Sequence, residues 1–403
     1  MTQEIQPTAT LPAEMAQTAP QPARPSAMRN AVQMLVGMLV GGVIGGVGMA
    51  LLVPDITPET KAALRGQFGA FTAPALVVLL LLISYAGIAV HELGHVAGGL
   101  LARFRFYLYV AGPLRVERDP DTGRVRVGFN RVVGLAGGIA AMLPTGTHDL
   151  RRRFGYLIAG GPLASFALGV AAWAAARAAE GTAPVAWIVL NMTALISAAL
   201  GLVTLIPMRS GGFTSDGGRL LRMIRGGPEA EREAATLPLL SLSYNETPPR
   251  QWPRDLVERA VALQDGTSEE CYANLLAYYH ALDSGDLALA GRRLDRALAL
   301  LEASPKAMHP GVHLEAAFFV AAHRRDAARA REHLALVPPN AFGVREPERD
   351  RAHAALALAE GDPARARELA EKALAGLPAR AAFRRDSLST ALAAATEPAT
   401  ASA

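Results

Sequence analysis

The sequence predicts a mainly α protein: a polytopic membrane helix bundle of about four spans with a small β-hairpin, followed by a cytoplasmic α-helical, repeat-like domain. Three observations carry this. The chain is oily, several apolar stretches reach membrane length, and after about residue 230 the composition turns to Ala, Leu, Arg and Glu at helical spacing. Of 403 residues, 51% are apolar and 19% charged, and the mean hydropathy is +0.21, above the range of an average soluble protein. The single cysteine, Cys271, excludes an internal disulfide and a thiolate metal cluster. Any metal must therefore be held by His, Asp or Glu. The net charge of +4 fits the Lys and Arg excess that membrane proteins keep on their cytoplasmic side. No nucleic-acid motif accompanies it, so nucleic acid is not an expected partner.

Residues 1–30 include the run Thr18 to Ser26, rich in proline, and no periodic apolar pattern. They read as a disordered tail. From Ala31 to Val53 the only polar side chain is Gln33, and this stretch is expected to be a retained first span with a small-residue face at Gly37, Gly41 and Gly45. The second span begins near Phe71 and runs to Val90, where it meets His91-Glu92-Leu93-Gly94-His95. Gly155 to Ala176 and Val185 to Pro207 complete the four, and the shorter Val132 to Pro144 suits a re-entrant or interfacial segment. The membrane domain thus covers 31–230.

Residues 101–154 hold ten arginines, whereas 177–184 holds only Arg177. The positive-inside bias places the arginine-rich segment, both termini and everything after Pro207 in the cytoplasm. Within that segment Arg103 to Val110 and Arg124 to Phe129 partly alternate with period two, around turn residues Asp119 to Gly123. A β-hairpin is expected there. In 231–395, Gly285-Asp286, Arg325-Asp326 and Gly361-Asp362 each separate two amphipathic helices. This resembles a degenerate tetratricopeptide-like array, whose helix pairs share a continuous core when stacked. Residues 396–403 are read as a second tail.

His91 and His95 are four apart on a helix, so both imidazoles lie on one face and can share a metal. Glu92, next in the turn, can reach a water without binding the ion, which is the arrangement metal-assisted hydrolysis needs. Ionisable groups at membrane depth are costly unless paired or bound to metal, which favours function over accident. A catalytic zinc needs a third protein ligand. Asp216, in the glycine-rich stretch after Pro207, is the leading candidate, with His148 as its rival.

His91-Glu92-Leu93-Gly94-His95 at the end of a membrane helix, Ala159-Gly160-Gly161-Pro162-Leu163-Ala164-Ser165 in the next span, and a Pro to Ser215-Asp216-Gly217 stretch after the following one resemble the site-2 protease family of intramembrane zinc metalloproteases. The resemblance covers about residues 72–225. It implies Zn2+ held by His91, His95 and Asp216, Glu92 activating water, and hydrolysis of a peptide bond in or near a substrate's transmembrane helix. It also implies that the hairpin offers an edge strand to the unwound substrate. Where the family has Asn just before the Pro of its third motif this chain has Thr204, to which a catalytic role passes; Ser165 likewise stands where Asn is usual. A hydroxyl cannot copy an amide's reach.

The expected activity is therefore that of a zinc metalloendopeptidase in a bacterial inner membrane, acting on a membrane-protein substrate, with the helical domain engaging a cytoplasmic protein partner. The alternative is a catalytically silent membrane scaffold that binds partners through its helical domain.

Overall fold

The computed structural model describes residues 72–119, 122–131, 137–210, 213–341, 343–378, 381–386 and 388–389, with isolated positions between 58 and 69. The expected first span, Ala31 to Val53, and both expected tails lie outside these residues. Among the described residues, three helices are long and apolar enough to cross a membrane by length and composition: α1 (Thr72–Leu101), α2 (Leu150–Ala179) and α3 (Pro184–Leu205). Their outward faces carry exposed Val77, Leu82, Leu93, Leu163, Val170 and Trp173, the surface that lipid rather than water would cover.

Small residues let α1 and α2 touch through their backbones. A Cβ on Gly94 would lie 2.3 Å from the Gly160 carbonyl oxygen, and one on Gly98 would lie 2.5 Å from that of Tyr156. This is close packing of a small-xxx-small face, and its place is Gly94 and Gly98 of the motif helix. The same contacts carry α1 beyond the motif. The helix does not end at His95 but continues to Leu101, which leaves His91 about 15 Å and His95 about 9 Å short of its end at 1.5 Å per residue. Val96 to Leu101 are compatible with a helix, and Gly98 and Gly99 fit against α2 and Met142, so nothing breaks it earlier.

Between α1 and α2 the chain forms a four-stranded antiparallel sheet from β1 (Phe104–Ala111), β2 (Leu114–Arg118), β3 (Val125–Phe129) and β4 (Ile139–Pro144), in the order β3-β2-β1-β4. The expected pairing of Arg103–Val110 with Arg124–Phe129 does not form, because β2 lies between them and pairs with both. Gly112, at φ +55°, turns the chain back after β1, and Gly123, at φ +68°, turns it back again after β2. The stretch expected to be re-entrant is also corrected: of its described part, residues 137–144, Ile139–Pro144 is a strand whose partners on β1 run from Val110 to Phe104. Buried Phe104, Met142, Phe154, Ile158, Met223 and Leu237 tie the sheet to α2 and to the helices that follow α3.

After α3 a two-residue hairpin, β5 (Arg209–Ser210) and β6 (Phe213–Thr214), leads into α4 (Asp216–Arg225). The α-helices that follow are α5 (Pro228–Tyr244), α6 (Arg254–Val261), α7 (Ser268–Asp283), α8 (Leu287–Ala299), α9 (His309–Phe319), α10 (Ala327–Ala335), α11 (Glu346–Ala359) and α12 (Pro363–Gly376). The three Asp-containing turns join α7 to α8, α9 to α10 and α11 to α12. In each, the Asp side chain caps the second helix, accepting from the backbone N–H three residues on at 2.8, 3.0 and 2.9 Å. The preceding residue is left-handed: Gly285, Arg325 and Gly361 have φ of +80°, +55° and +80°. One core joins Cys271 and Tyr278 to Leu294, Val312 and Phe319, and the next joins Leu314 and Phe318 to Ala352 and Leu356, so consecutive hairpins share their interiors through α9.

Candidate metal centre

His91 and His95 occupy successive turns of α1, with ring centroids 4.9 Å apart and planes at 87°. Both are buried, as is Glu92 between them. Each ring is fixed by its Nδ1. That of His91 lies 2.9 Å from the Ser165 hydroxyl on α2, and that of His95 lies 3.0 Å from the Leu157 carbonyl oxygen. A carbonyl only accepts, so Nδ1 of His95 carries a proton and Nε2 is the atom left to face Asp216. Room for the His95 ring is made by Gly161, where a Cβ would lie 2.3 Å from Nε2.

Both Nε2 atoms face one carboxylate. Nε2 of His91 is 3.0 Å from Oδ2 of Asp216, and Nε2 of His95 is 3.4 Å from Oδ1. Asp216 is the first residue of α4, and local chemistry fixes it there. The Ser215 hydroxyl caps α4 by accepting from Gly218 N at 3.2 Å, accepts from Met208 N at 3.0 Å and donates to Ile206 O at 2.7 Å. Gly217 lies against the end of α3, where a Cβ would be 1.8 Å from the Leu205 carbonyl oxygen. No other residue fits. Burial pushes the Asp216 carboxyl up, but the adjoining imidazoles of His91 and His95 outweigh it and hold the group well below the usual carboxylate range. It is an anion at neutral pH.

A lone pair on Nε2 of His95 set against a carboxylate oxygen is repulsive unless a proton or a cation lies between them. Two imidazoles, each with its Nδ1 engaged, and one carboxylate are a donor set suited to zinc. The Glu92 carboxylate lies within the same group, with one oxygen within 4.8 Å of a ring nitrogen of both His91 and His95. Gly138, at φ +103°, passes directly over it, and a Cβ there would be 2.5 Å from Oε1. The residue just before β4 thus forms one wall beside Glu92.

The structure brings together His91, Glu92, His95 and Asp216. It does not bring in His148, which is exposed in the turn before α2, its carbonyl accepting from Arg153. Nor does it direct Thr204 to the centre: the Thr204 hydroxyl donates to Gly201 O at 3.2 Å within α3. Ser165, which the sequence marked only as a departure from the family pattern, is the residue that orients His91. Gly161 and Gly138 also escaped sequence reasoning. Gly160-Gly161 was visible as a paired signal, but Gly138 needed the sheet.

No protein-family model matches the chain, and no curated protein and no solved structure matches it.

Proposed function

We propose that the protein is an intramembrane zinc metalloendopeptidase, with His91, His95 and Asp216 as ligands and Glu92 as general base. The observation that carries this reading is the convergence of two imidazole Nε2 atoms on a carboxylate from a separate helix, beside Glu92, within a helix of membrane length. The resemblance of the three motifs to the site-2 protease family supports the same reading. Bound there, zinc supplies a Lewis acid that polarises a carbonyl and makes water acidic near neutral pH.

The chain's own residues do the rest. Ser165 and Leu157 fix the ring orientations, so the donor atoms are in place before substrate arrives. Glu92 takes a proton from the attacking water and returns it to the departing amine as the peptide C–N bond breaks. An extended substrate adds to a sheet edge by backbone hydrogen bonds, and β4 is the edge strand that begins beside Glu92. The ten arginines of 101–154 support a cytoplasmic position for the sheet, and the membrane is read as a bacterial inner membrane. The helices after α4 form a tetratricopeptide-like unit that engages a protein partner.

The test is zinc content and cleavage by detergent-purified protein. Glu92→Gln is expected to keep zinc and to lose cleavage of a membrane-protein substrate. Retained cleavage overturns the general-base role, and wild-type protein without zinc overturns the enzyme reading. The second reading, a silent membrane scaffold, is favoured by one observation, the commitment of the Thr204 hydroxyl to its own helix. Zinc bound at one equivalent argues against it.

A further inference from the structure

Asp216 reaches the imidazoles from a helix of only ten residues, too short to hold its own orientation. Its first turn is fixed by Ser215 and Gly217. Its other side is gripped from downstream. Arg222 lies six residues after Asp216, about 9 Å along the axis and about 120° around it, and its side chain is 5% exposed. Nη1 donates to Glu233 at 3.1 Å, Nη2 reaches Glu269 and Thr214 at 3.4 Å, and Nε stands 3.0 Å from Glu229. The Thr214 hydroxyl donates to the same Glu269 at 3.1 Å.

Two further cations close the set. Arg209 on β5 donates to Glu229 at 2.8 Å. Arg219 donates to Glu233 at 2.8 and 3.0 Å and stacks on Phe154 of α2 at 4.6 Å. Glu229 and Glu233 belong to α5, and Glu269 belongs to the first turn of α7. Three arginines on β5 and α4 thus meet three carboxylates of the following helices. Isolated surface pairs contribute little, but here a buried guanidinium joins both helices to the element that carries the third ligand. A ligand must be held to within about 0.5 Å to act as one.

We propose that Arg222 is a positioning residue for Asp216: through Glu229, Glu233 and Glu269, helices α5 and α7 set the rotation of α4 that presents the carboxylate to His91 and His95. The helical region is then part of the metal centre, and zinc affinity reports its grip on α4. This rests on the reading of His91, His95 and Asp216 as zinc ligands.

The test measures zinc affinity of the full chain in detergent by competition with a chromophoric chelator. Arg222→Gln is expected to weaken zinc by about 3- to 10-fold, no more than the loss of a group bonded directly to a ligand, and Arg222→Lys to recover part of it. In an Asp216→Asn background, Arg222→Gln is expected to change the residual affinity little, since the group it positions is gone. Glu269→Gln, on a partly exposed carboxylate, is the gentler variant and is expected to weaken zinc in the same direction. Wild-type affinity in Arg222→Gln and Glu269→Gln overturns the proposal, as does an equal loss with and without Asp216. A wild-type chain that binds no zinc overturns the metal-site reading itself, and the proposal with it.

Discussion

Helices α1 and α2 bury His91, Glu92, His95 and Ser165 together at one place, whereas α7 to α12 bury Glu270, Asp350 and the pair Glu315–Arg351 at separate places, each carboxylate against a single cation. The backbones differ in the same way. At the motif, α1 and α2 touch through Gly94, Gly98 and Gly160, while the later helices meet through alanines such as Ala281, Ala290 and Ala316. In the later helices a buried charge is answered by another, which makes the loss of either partner costly without implying chemistry. In the membrane helices two imidazoles share one carboxylate, Asp216, and a proton or a cation between them answers the charge. Buried charge therefore bears on function where groups from separate helices converge on one point, rather than where they pair off singly.

The largest effect expected from breaking this contrast is at the backbone contact. Gly94→Val puts a branched side chain where Gly160 O already sits 2.3 Å from a Cβ. Separation of α1 from α2 should abolish zinc binding and leave little folded membrane region, read by zinc analysis and protease resistance. Next comes the ion-paired region. Glu315 accepts from Tyr278 at 3.1 Å and from Arg351, whose guanidinium lies 4.1 Å from the Phe318 ring centroid. Glu315→Ala strands a fully buried Arg351 and should cost about 3–5 kcal/mol of stability, seen in denaturant unfolding, with zinc affinity unchanged. Loss of zinc in that variant would erase the distinction between the two regions. Smaller again is Ser165→Ala, which removes the His91 partner at 2.9 Å. It should weaken zinc by about 10-fold without moving the unfolding of the later helices.

How much of this was legible in the sequence depends on the range of the contact. His91 and His95 were readable because a four-residue spacing becomes a shared face once a helix is assumed. Asp216 was readable through the pattern after Pro207 and the family it resembles. Thr204 was not, because a Thr hydroxyl in a helix often bonds a carbonyl of the preceding turn, and here it takes Gly201 O. The role of Ser165 depends on the rotation of α2 against α1, which Gly94 and Gly160 set. The four-residue spacing of Gly94 and Gly98 was itself a packing signal. The β1–β2–β3 order turned on Leu114–Arg118, whose alternation is short, and β4 pairs with β1 across the 27 residues between Ala111 and Ile139. The turn residues Gly285, Asp286, Gly361 and Asp362 act over three or four positions and could be read directly.

The smallest expected effect concerns a pair that only the later helices contain. His313 on α9 and His333 on α10 stack with centroids 5.4 Å apart and Nδ1 atoms 3.2 Å apart, so one ring must accept and be neutral. Burial pushes both below the usual histidine range. For His313 the neighbouring His333 and His309 add to this, and for His333 Arg329 and Arg324 do so against Glu332 and Asp295. A histidine whose folded-state affinity for protons is lowered binds more of them when unfolded. Its stabilising contribution is therefore present above the ordinary histidine range and is lost as pH falls through and below it. Denaturant midpoints of the full chain should fall modestly between pH 7.5 and 5.5, and the fall should shrink in His313→Gln. That window avoids Asp265 and Glu269, whose carboxyls are held low despite burial by Arg232 in one case and by the Glu269 backbone N–H with Arg222 in the other, and which lose their contribution only at more acid pH. An unchanged slope in His313→Gln would assign the pH dependence to other groups, and would leave the paired charges of the later helices as purely structural as their geometry suggests.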